Sequence, residues 1–433
     1  MTINKNYHKT IKFLYDLQLF GIKLGLDNIK SILTFLGNPE KSFLSIHIAG
    51  TNGKGSTASM IASILTASGY KTGLYTSPHI IDFTERIRIN GENIPIEKVI
   101  NYTQIIKPEV ERIKATFFEA TTAIAFKYFA DEKVDIAIVE TGLGGRWDAT
   151  NVILPVLSII TNIEIEHIQY LGSTHTEIAS EKGGIIKQGI PCLTGTTNIS
   201  ALQRLRQISK LNYSRLVEVN NISSYKLHLS TLEGSVVDLN VNKRKYRNLK
   251  LSLAGEHQIK NLILAIWAVD YVKDNFQFVR INEKNIRKGL SNISKYSGLQ
   301  GRMQVVGKSP LIIVDVAHNP NGVSTLVKSL KRLIVGKVIT VFGVMADKDY
   351  KLMISYLKQI TRCMISVQPK IERSLEEIDI LNEFRAQSIK ALKGGSVKSG
   401  VRIAINESQG NEPILITGSH YVVGEALSCL KDF

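Results

Sequence analysis

The chain has 433 residues, and a single hydrophobic core stops growing at about 250–300 residues, so two or three domains are expected. Apolar residues make up 44% and charged residues 21%, the balance of an ordinary soluble protein, which excludes a mainly disordered, fibrous or membrane chain. The 54 basic residues exceed the 38 acidic ones by 16, which suits an anionic partner; with no basic platform interleaved with aromatics, small anionic substrates are expected and nucleic acid is not.

Residues 1–12 are polar and basic, unlike a secretory signal, and the longest apolar run, Leu262 to Val269, stops at Asp270, short of the ~20 residues of a membrane helix. A cytoplasmic protein with no membrane partner, working as a monomer, is the expectation. Cys192, Cys363 and Cys429 lie far apart and read as buried reduced thiols.

In chain order, short β-branched runs alternate with segments of helical period, the pattern of parallel strands covered by crossover helices, so the class is α/β. Phe43–Ala49 reads as a strand, Ser56–Ser68 as a helix with Met60, Ile61, Ile64 and Leu65 on one face, and Gly69 as its stop. Thr72–Thr76 starts the next strand. Val134–Val139 is nearly all apolar, as suits a strand buried on both faces, and Val156–Thr161 repeats that design. From Ser214 to Leu253 the period changes to alternation, which predicts a small antiparallel excursion on the same domain. The basic run Asn242–Lys250 falls between its strand-like segments, as the solvated part of a hairpin. Gln258–Val272 is helical again. Two glycines in Tyr296–Arg302 (YSGLQGR) mark a linker. The expected organisation is a P-loop mononucleotide-binding domain over 1–296, a linker at 297–302, and a Rossmann-like α/β domain over 303–433 with strands Leu311–Val316, Lys337–Phe342 and Ile414–Thr417.

The chemistry centres on Gly50-Thr51-Asn52-Gly53-Lys54-Gly55-Ser56, between a predicted strand and a predicted helix. Glycines let backbone N–H groups close around phosphate oxygens, the helix N-terminus adds partial positive charge, and Lys54 supplies a point charge. The loop departs from GxxxxGK[ST], since Ile48 stands at the first glycine and Gly55 separates Lys54 from Ser56. Two further loops leave the same end of the sheet, Thr76-Ser77-Pro78-His79 and Glu140 to Arg146, and bring hydroxyl and carboxylate oxygens beside the P-loop. Hard oxygen ligands beside a triphosphate suit Mg²⁺. Taken singly, Ser77 is a turn residue, Glu140 a solvated strand end and Lys182 a helix-surface lysine.

Seven ordered motifs resemble the folylpolyglutamate synthase and dihydrofolate synthase family of the Mur ligase superfamily: GTNGKGS, TSPH with ERIRING, ETGLGGRWDATN, EKGGIIK, GEHQIKN, DVAHNP and TGSHY. The resemblance runs from Phe20-Gly21-Ile22-Lys23-Leu24-Gly25-Leu26 to the final helix. It implies a ligase that adds L-glutamate to folates, and to dihydropteroate, using ATP as co-substrate, with Mg²⁺, optionally K⁺, and a carbamylated lysine at Lys182. By resemblance Lys54, Lys182 and His167 are catalytic, and Ser77, Glu140 and His167 are metal ligands. Gly50 to Ser56, Asn261, Arg302, Asp315 and His318 contact ATP, and Phe118, Glu119, Ala120, Thr121 and Trp147 line the pterin pocket. Read alone, that last group is a helix start and a core aromatic. The chain departs from the family's usual residues at Glu166 (Asp), Gly183 (Ala), Leu299-Gln300 (Trp-Pro) and His420 (Leu or Phe). A cell-wall Mur-type ligase and a nucleic-acid-stimulated P-loop ATPase are the alternatives.

Overall fold

The computed structural model describes residues 2–21, 23 and 25–432; within the FGIKLGL segment, Ile22 and Leu24 lie outside the described residues. Eight strands form the first sheet: β1 (Leu44–Ala49), β2 (Thr72–Tyr75), β3 (Ile87–Ile89), β4 (Glu92–Asn93), β5 (Ile136–Glu140), β6 (Leu157–Ile160), β7 (Cys192–Thr194) and β8 (Leu216–Glu218). Their order is β4-β3-β2-β5-β1-β6-β7-β8, parallel except for β3 and β4 at one edge. Alternation explains the continuous apolar runs. Ile136 and Ile138 face a core with Met60, Ile61, Ile64 and Leu65, whereas Ala137 and Val139 face an opposite core with Phe126 and Phe129. From β1 the chain crosses to β2 on one side, and later from β6 to β7 on the other, so the β1/β6 junction is a topological switch point where ligands bind.

Three antiparallel strands follow, β9 (Ser223–Thr231), β10 (Gly234–Val241) and β11 (Arg244–Leu251). The excursion is narrower than the alternation predicted, because β8 pairs in parallel with β7 and closes the large sheet. The basic run also differs from its reading as a hairpin's solvated part. Most of it is β11 itself, with Tyr246 and Leu249 in the core. Arg244 pairs with Asp270, the fully buried residue that interrupts the apolar helix His257–Asn275, and with Asp274 at 2.6 Å. Tyr246 completes the carboxylate's partners, donating to Asp270 Oδ1 at 3.1 Å.

The second sheet holds β12 (Gln304–Lys308), β13 (Leu311–Val314), β14 (Val338–Phe342), β15 (Thr361–Gln368), β16 (Lys390–Ser396) and β17 (Ile414–Thr417), in the order β12-β13-β17-β14-β15-β16. All pair in parallel but β12. β16 (KALKGGS) carries three exposed positions and two glycines at a sheet edge, which hides its strand character in the sequence. Between the sheets, Gly301 takes φ 70° and a Cβ there would lie 2.9 Å from both Ile80 Cδ1 and Val316 Cγ1. A Cβ on Gly424 would come within 1.9 Å of the Ile80 carbonyl, so the loop after β2 is pressed directly against the second domain's last helix. The three cysteines are buried thiols. No helix among the described residues is long and apolar enough to cross a membrane.

Candidate active site

β1 delivers the P-loop. Gly50 and Gly53 take φ 146° and 84°, and added Cβ atoms would lie 1.9 Å from Thr161 Oγ1 and 2.4 Å from Asn261 Oδ1. Glycine is therefore required twice over, by backbone conformation and by crowding. Gly53 caps the helix Lys54–Ala67 without a side-chain acceptor, leaving first-turn N–H groups for a ligand. The Lys54 ammonium folds back onto the carbonyls of Gly50 (2.9 Å) and Thr51 (3.2 Å). The loop after β6 clamps the other side: Asn162 Oδ1 accepts from Asn52 N at 2.8 Å, and Thr161 Oγ1 donates to the Asn52 carbonyl at 2.7 Å. Neither Thr161 nor Asn162 stood out in the sequence. Their only signal was a position at the carboxyl end of a buried strand.

Glu140 ends β5 inside the protein, 4% exposed, which corrects its reading as a solvated strand end. Burial raises its pKa, while Lys54, the Ser77 N–H (3.2 Å) and Arg302 oppose that rise. A Cβ on Gly55 would sit 3.5 Å from Glu140 Oε2 and 3.7 Å from Arg302 Nη2, so both groups lie at the first turn of the P-loop helix. Lys182 is also corrected from a surface lysine, being 1% exposed. Its ammonium donates to Glu166 Oε1 at 2.9 Å and the Gly50 carbonyl at 3.0 Å. Burial pushes the Lys182 pKa down, against the pull of Glu166. Burial alone would raise the Glu166 carboxyl, but Lys182 and Lys54 hold it at about 2. His167, at φ 47°, opens the short helix Ile168–Leu171; burial lowers its pKa, as do Lys348, Lys182 and Lys54, against Glu166. Among the described residues no three His, Cys, Asp or Glu side chains gather as a metal site; the expected set holds only one carboxylate and one imidazole beside Ser77. Next to Lys182, a Cβ on Gly183 would lie 2.6 Å from Ile208 Cδ1, so the leucine-rich helix beyond fills the space of the family's usual alanine.

The turn after Glu140 is organised by Asp148, whose Oδ2 accepts from the N–H groups of Gly142 (2.8 Å) and Leu143 (2.9 Å). Its Oδ1 accepts from the Thr150 hydroxyl, which in turn meets the fully buried His47 Nε2 at 2.8 Å. A Cβ on Gly142 would lie 2.6 Å from Phe118 Cζ, so this turn packs on the expected pterin wall. Phe118 is half-buried, and Trp147 is 45% exposed rather than a core aromatic. Glu119 is spent on a capping box, accepting from Thr116 N at 2.7 Å; Ala120 is buried, and Thr121 donates to the Phe117 carbonyl at 2.7 Å. Arg86, which the sequence reading passed over, is 8% exposed, donates from Nε to His79 Nδ1 at 2.8 Å, and lies 5.1 Å from the Phe117 ring centre.

The second domain meets this surface through the loop after β13. Asn52 exchanges amide hydrogen bonds with Asn321 and Asn319, each 3.2 Å. Asp315 accepts from the N–H groups of Met303 and Ala317, both at 2.8 Å, and burial raises its pKa against the pull of Arg302. His318 Nδ1 lies 2.9 Å from the Val316 carbonyl, and burial lowers its pKa to about 4. A cavity of about 280 Å³ lies between the domains, with Gly53, Ser56, Asn261, Arg302, Asp315 and His318 on its walls. The structure thus brings together expected ATP contacts from three distant stretches of chain.

Residues 48–269 match the Mur ligase middle domain, and residues 301–420 match the Mur ligase glutamate ligase domain. Dihydrofolate synthase/folylpolyglutamate synthase of Bacillus subtilis is 36% identical over 422 residues, 95% of this chain and 96% of that protein. The chain belongs to the folylpolyglutamate synthase and dihydrofolate synthase family of Mur ligases. Within that family, folylpolyglutamate synthase of Lacticaseibacillus casei is 33% identical over 431 residues, covering 96% of this chain and 97% of its own. The Mycobacterium tuberculosis folylpolyglutamate synthase complexed with ADP and AMPPCP superposes with a TM-score of 0.88 at 28% identity, covering 98% of each chain. The Escherichia coli FolC in complex with DHPP and ADP gives a TM-score of 0.87 at 27% identity, over 98% of each chain. The α/β architecture read from the sequence, with a nucleotide-binding first domain and an α/β second domain, is therefore that of the family.

Proposed function

We propose that this protein is an ATP-dependent ligase that joins the amine of L-glutamate to the carboxylate of a folate, and of dihydropteroate, through an acyl phosphate. The observation that carries the reading is the cavity between the domains, where Gly53 and Ser56 of the P-loop face Arg302, Asp315 and His318, with Glu140 and Arg302 together at the first turn of the P-loop helix. A carboxylate does not react with an amine in water, because its leaving group would be an oxide. Transfer of the γ-phosphoryl group of ATP to the carboxylate forms a C–O–P link and releases ADP. The glutamate amine then attacks the acyl carbon, loses a proton, and expels inorganic phosphate.

In this reading Lys54 turns from its own loop carbonyls to the transferred phosphoryl group, and the first-turn N–H groups hold the phosphates. Arg302 and Asp315 bind the nucleotide from the second domain, so closure of the two domains keeps water from the acyl phosphate. Phe118 and Trp147 supply the flat wall for a pterin, backed by Glu119, Ala120 and Thr121. Ser77, Glu140 and His167 are the residues that would hold Mg²⁺, which when bound neutralises charge on the phosphates. The buried Glu140 carboxylate, beside Lys54 and Arg302, fits that role. Burial that favours a neutral Lys182 amine also fits a carbamate, formed when the amine adds to CO₂ and releases a proton.

The test is trapping. Hydroxylamine should compete with glutamate and yield a folyl hydroxamate, and ADP release should require the pteridine carboxylate. ADP release at one rate with and without dihydropteroate, tetrahydrofolate and glutamate, or a response only to a UDP-sugar peptide or DNA, overturns the reading.

A further inference from the structure

Ile80 belongs to the first domain, yet its side chain packs against the second-domain core that holds Val314, Val316, Val422 and Val423. Two glycines make room for it. A Cβ on Gly424, in the helix His420–Cys429, would come within 1.9 Å of the Ile80 carbonyl oxygen, and one on Gly301 would lie 2.9 Å from Ile80 Cδ1.

The first domain holds Ile80 firmly. Glu85, 8% exposed, spends its carboxylate on this segment: Oε2 accepts from Ile80 N at 2.8 Å, and Oε1 accepts from the N–H groups of Ile81 (2.9 Å) and Asp82 (2.8 Å). Asp82 Oδ1 accepts in turn from the Tyr7 hydroxyl and from Thr84 N, each at 2.9 Å. Hydrogen bonds to an ionised carboxylate are the strong ones, so residues 80–85 form a stiff block. At the other end of the same loop Ser77 N donates to Glu140 Oε2 at 3.2 Å.

The second domain is tied to this contact from its own side. The Gly301 carbonyl accepts from Val316 N at 3.0 Å, and Asp315 Oδ2 accepts from Met303 N at 2.8 Å, so the end of the linker and the loop after β13 move together. Arg302, between Gly301 and Met303, lies with Glu140 at the first turn of the P-loop helix. The loop after β13 runs on to Asn319 and Asn321, whose amides meet Asn52 of the P-loop at 3.2 Å each. Packed interiors are stiff and transmit strain, so a shift at Ile80 becomes a shift of Arg302 and Asn321 over the nucleotide site.

We propose that Ile80 is a positioning residue: it is the seat on which the second domain comes to rest, and it fixes how closely Arg302 and the loop after β13 close over the P-loop. The proposal rests on the ligase reading above and adds to it a residue outside the walls of the nucleotide cavity. A well-seated domain keeps water from the acyl phosphate until the amine attacks. In a badly seated one water takes the amine's place, and the products are inorganic phosphate and the free carboxylate, with no amide formed.

The experiment measures phosphate release and amide formation together, with ATP, tetrahydrofolate and L-glutamate, in the wild type and in Gly424→Ala, Ile80→Ala and Ile80→Val. Gly424→Ala, which presses on the Ile80 carbonyl, and Ile80→Ala, which empties the seat, should each slow amide formation about tenfold or more, since ~1 Å of misplacement far from the chemistry can cost about a hundredfold. Both should release at least about two phosphates per amide bond, against one in the wild type. Ile80→Val keeps most of the side chain and should stay near the wild type. Adding Asn321→Ala to Gly424→Ala should have little further effect, because the contact it removes is already lost; two effects that multiply in full overturn the link between seat and P-loop. A lowered melting temperature with one phosphate still released per amide makes Ile80 ordinary packing and overturns the proposal. Should Gly424→Ala fail to fold, Ile80→Ala is judged by the same ratio. A wild type that forms no amide with tetrahydrofolate or dihydropteroate brings down the ligase reading itself, whereas an active wild type whose variants keep its ratio brings down only the role of Ile80.

Discussion

Lys182 donates to Glu166 across 2.9 Å inside the protein, and the same nitrogen holds the carbonyl of Gly50, so a helix end, the loop after β6 and the P-loop meet at one ammonium. Glu166 has a carboxyl held at about 2 against an ordinary 4.5. A carboxylate with a depressed folded pKa stabilises the fold above the ordinary value and loses that contribution as pH falls through the folded one. In protein whose Lys182 is unmodified, Glu166→Gln should therefore cost about 2–3 kcal/mol at pH 7, with the gap to wild type closing between pH 4.5 and about 2. Urea unfolding at several pH values measures this; a gap independent of pH contradicts it.

Lys182→Ala tests the carbamate. The variant should lose at least about a hundredfold in ligation, on the scale of a removed electrostatic group, and regain part of it with formate or acetate. Mass spectrometry of active wild-type enzyme showing only the unmodified lysine would remove the carbamate without touching the ligase.

Lys54→Ala should abolish turnover with little change in melting temperature, because the ammonium's protein partners are two carbonyls of its own loop. More than a tenth of wild-type activity would make the loop merely structural.

Glu140→Gln should separate function from stability. Burial raises this carboxyl's pKa, so its charge opposes folding at neutral pH, and a neutral isostere should melt higher while ligating at least about a hundredfold more slowly. The melting advantage should vanish as pH falls through the raised pKa toward 4.5, where the wild-type carboxyl is also neutral. A variant that melts lower at neutral pH refutes the stability half.

Arg244→Met leaves the fully buried Asp270 without its cation, with Tyr246 still donating to it. A loss of about 3 kcal/mol is expected, largely recovered by adding Asp270→Leu, since a paired apolar replacement leaves no buried charge. Equal stability of the single and double variants in urea would contradict this.

Strand and helix periods made the α/β class readable from the sequence alone, because Ile136–Glu140 and Leu157–Ile160 are apolar on both faces, as a covered parallel sheet demands. The P-loop was legible for a local reason too. Gly50, Gly53 and Lys54 are a few residues apart, and strand, turn and helix start are short-range features. Other assignments depended on partners far along the chain. Glu140 and Lys182 looked like solvated residues until the β2-β5-β1-β6 order enclosed them. The lysine-rich run hid a core strand, because what neutralises Arg244 is an aspartate on a helix that packs against it only in three dimensions. His420 and His318 share no motif and no strand; the parallel pairing of β13 with β17 sets the ends of those strands, and so the two rings, side by side. Local sequence settles backbone conformation and which faces are apolar. Strand order decides which distant side chains share a dielectric environment, and with it the charges and hydrogen bonds from which a site is made.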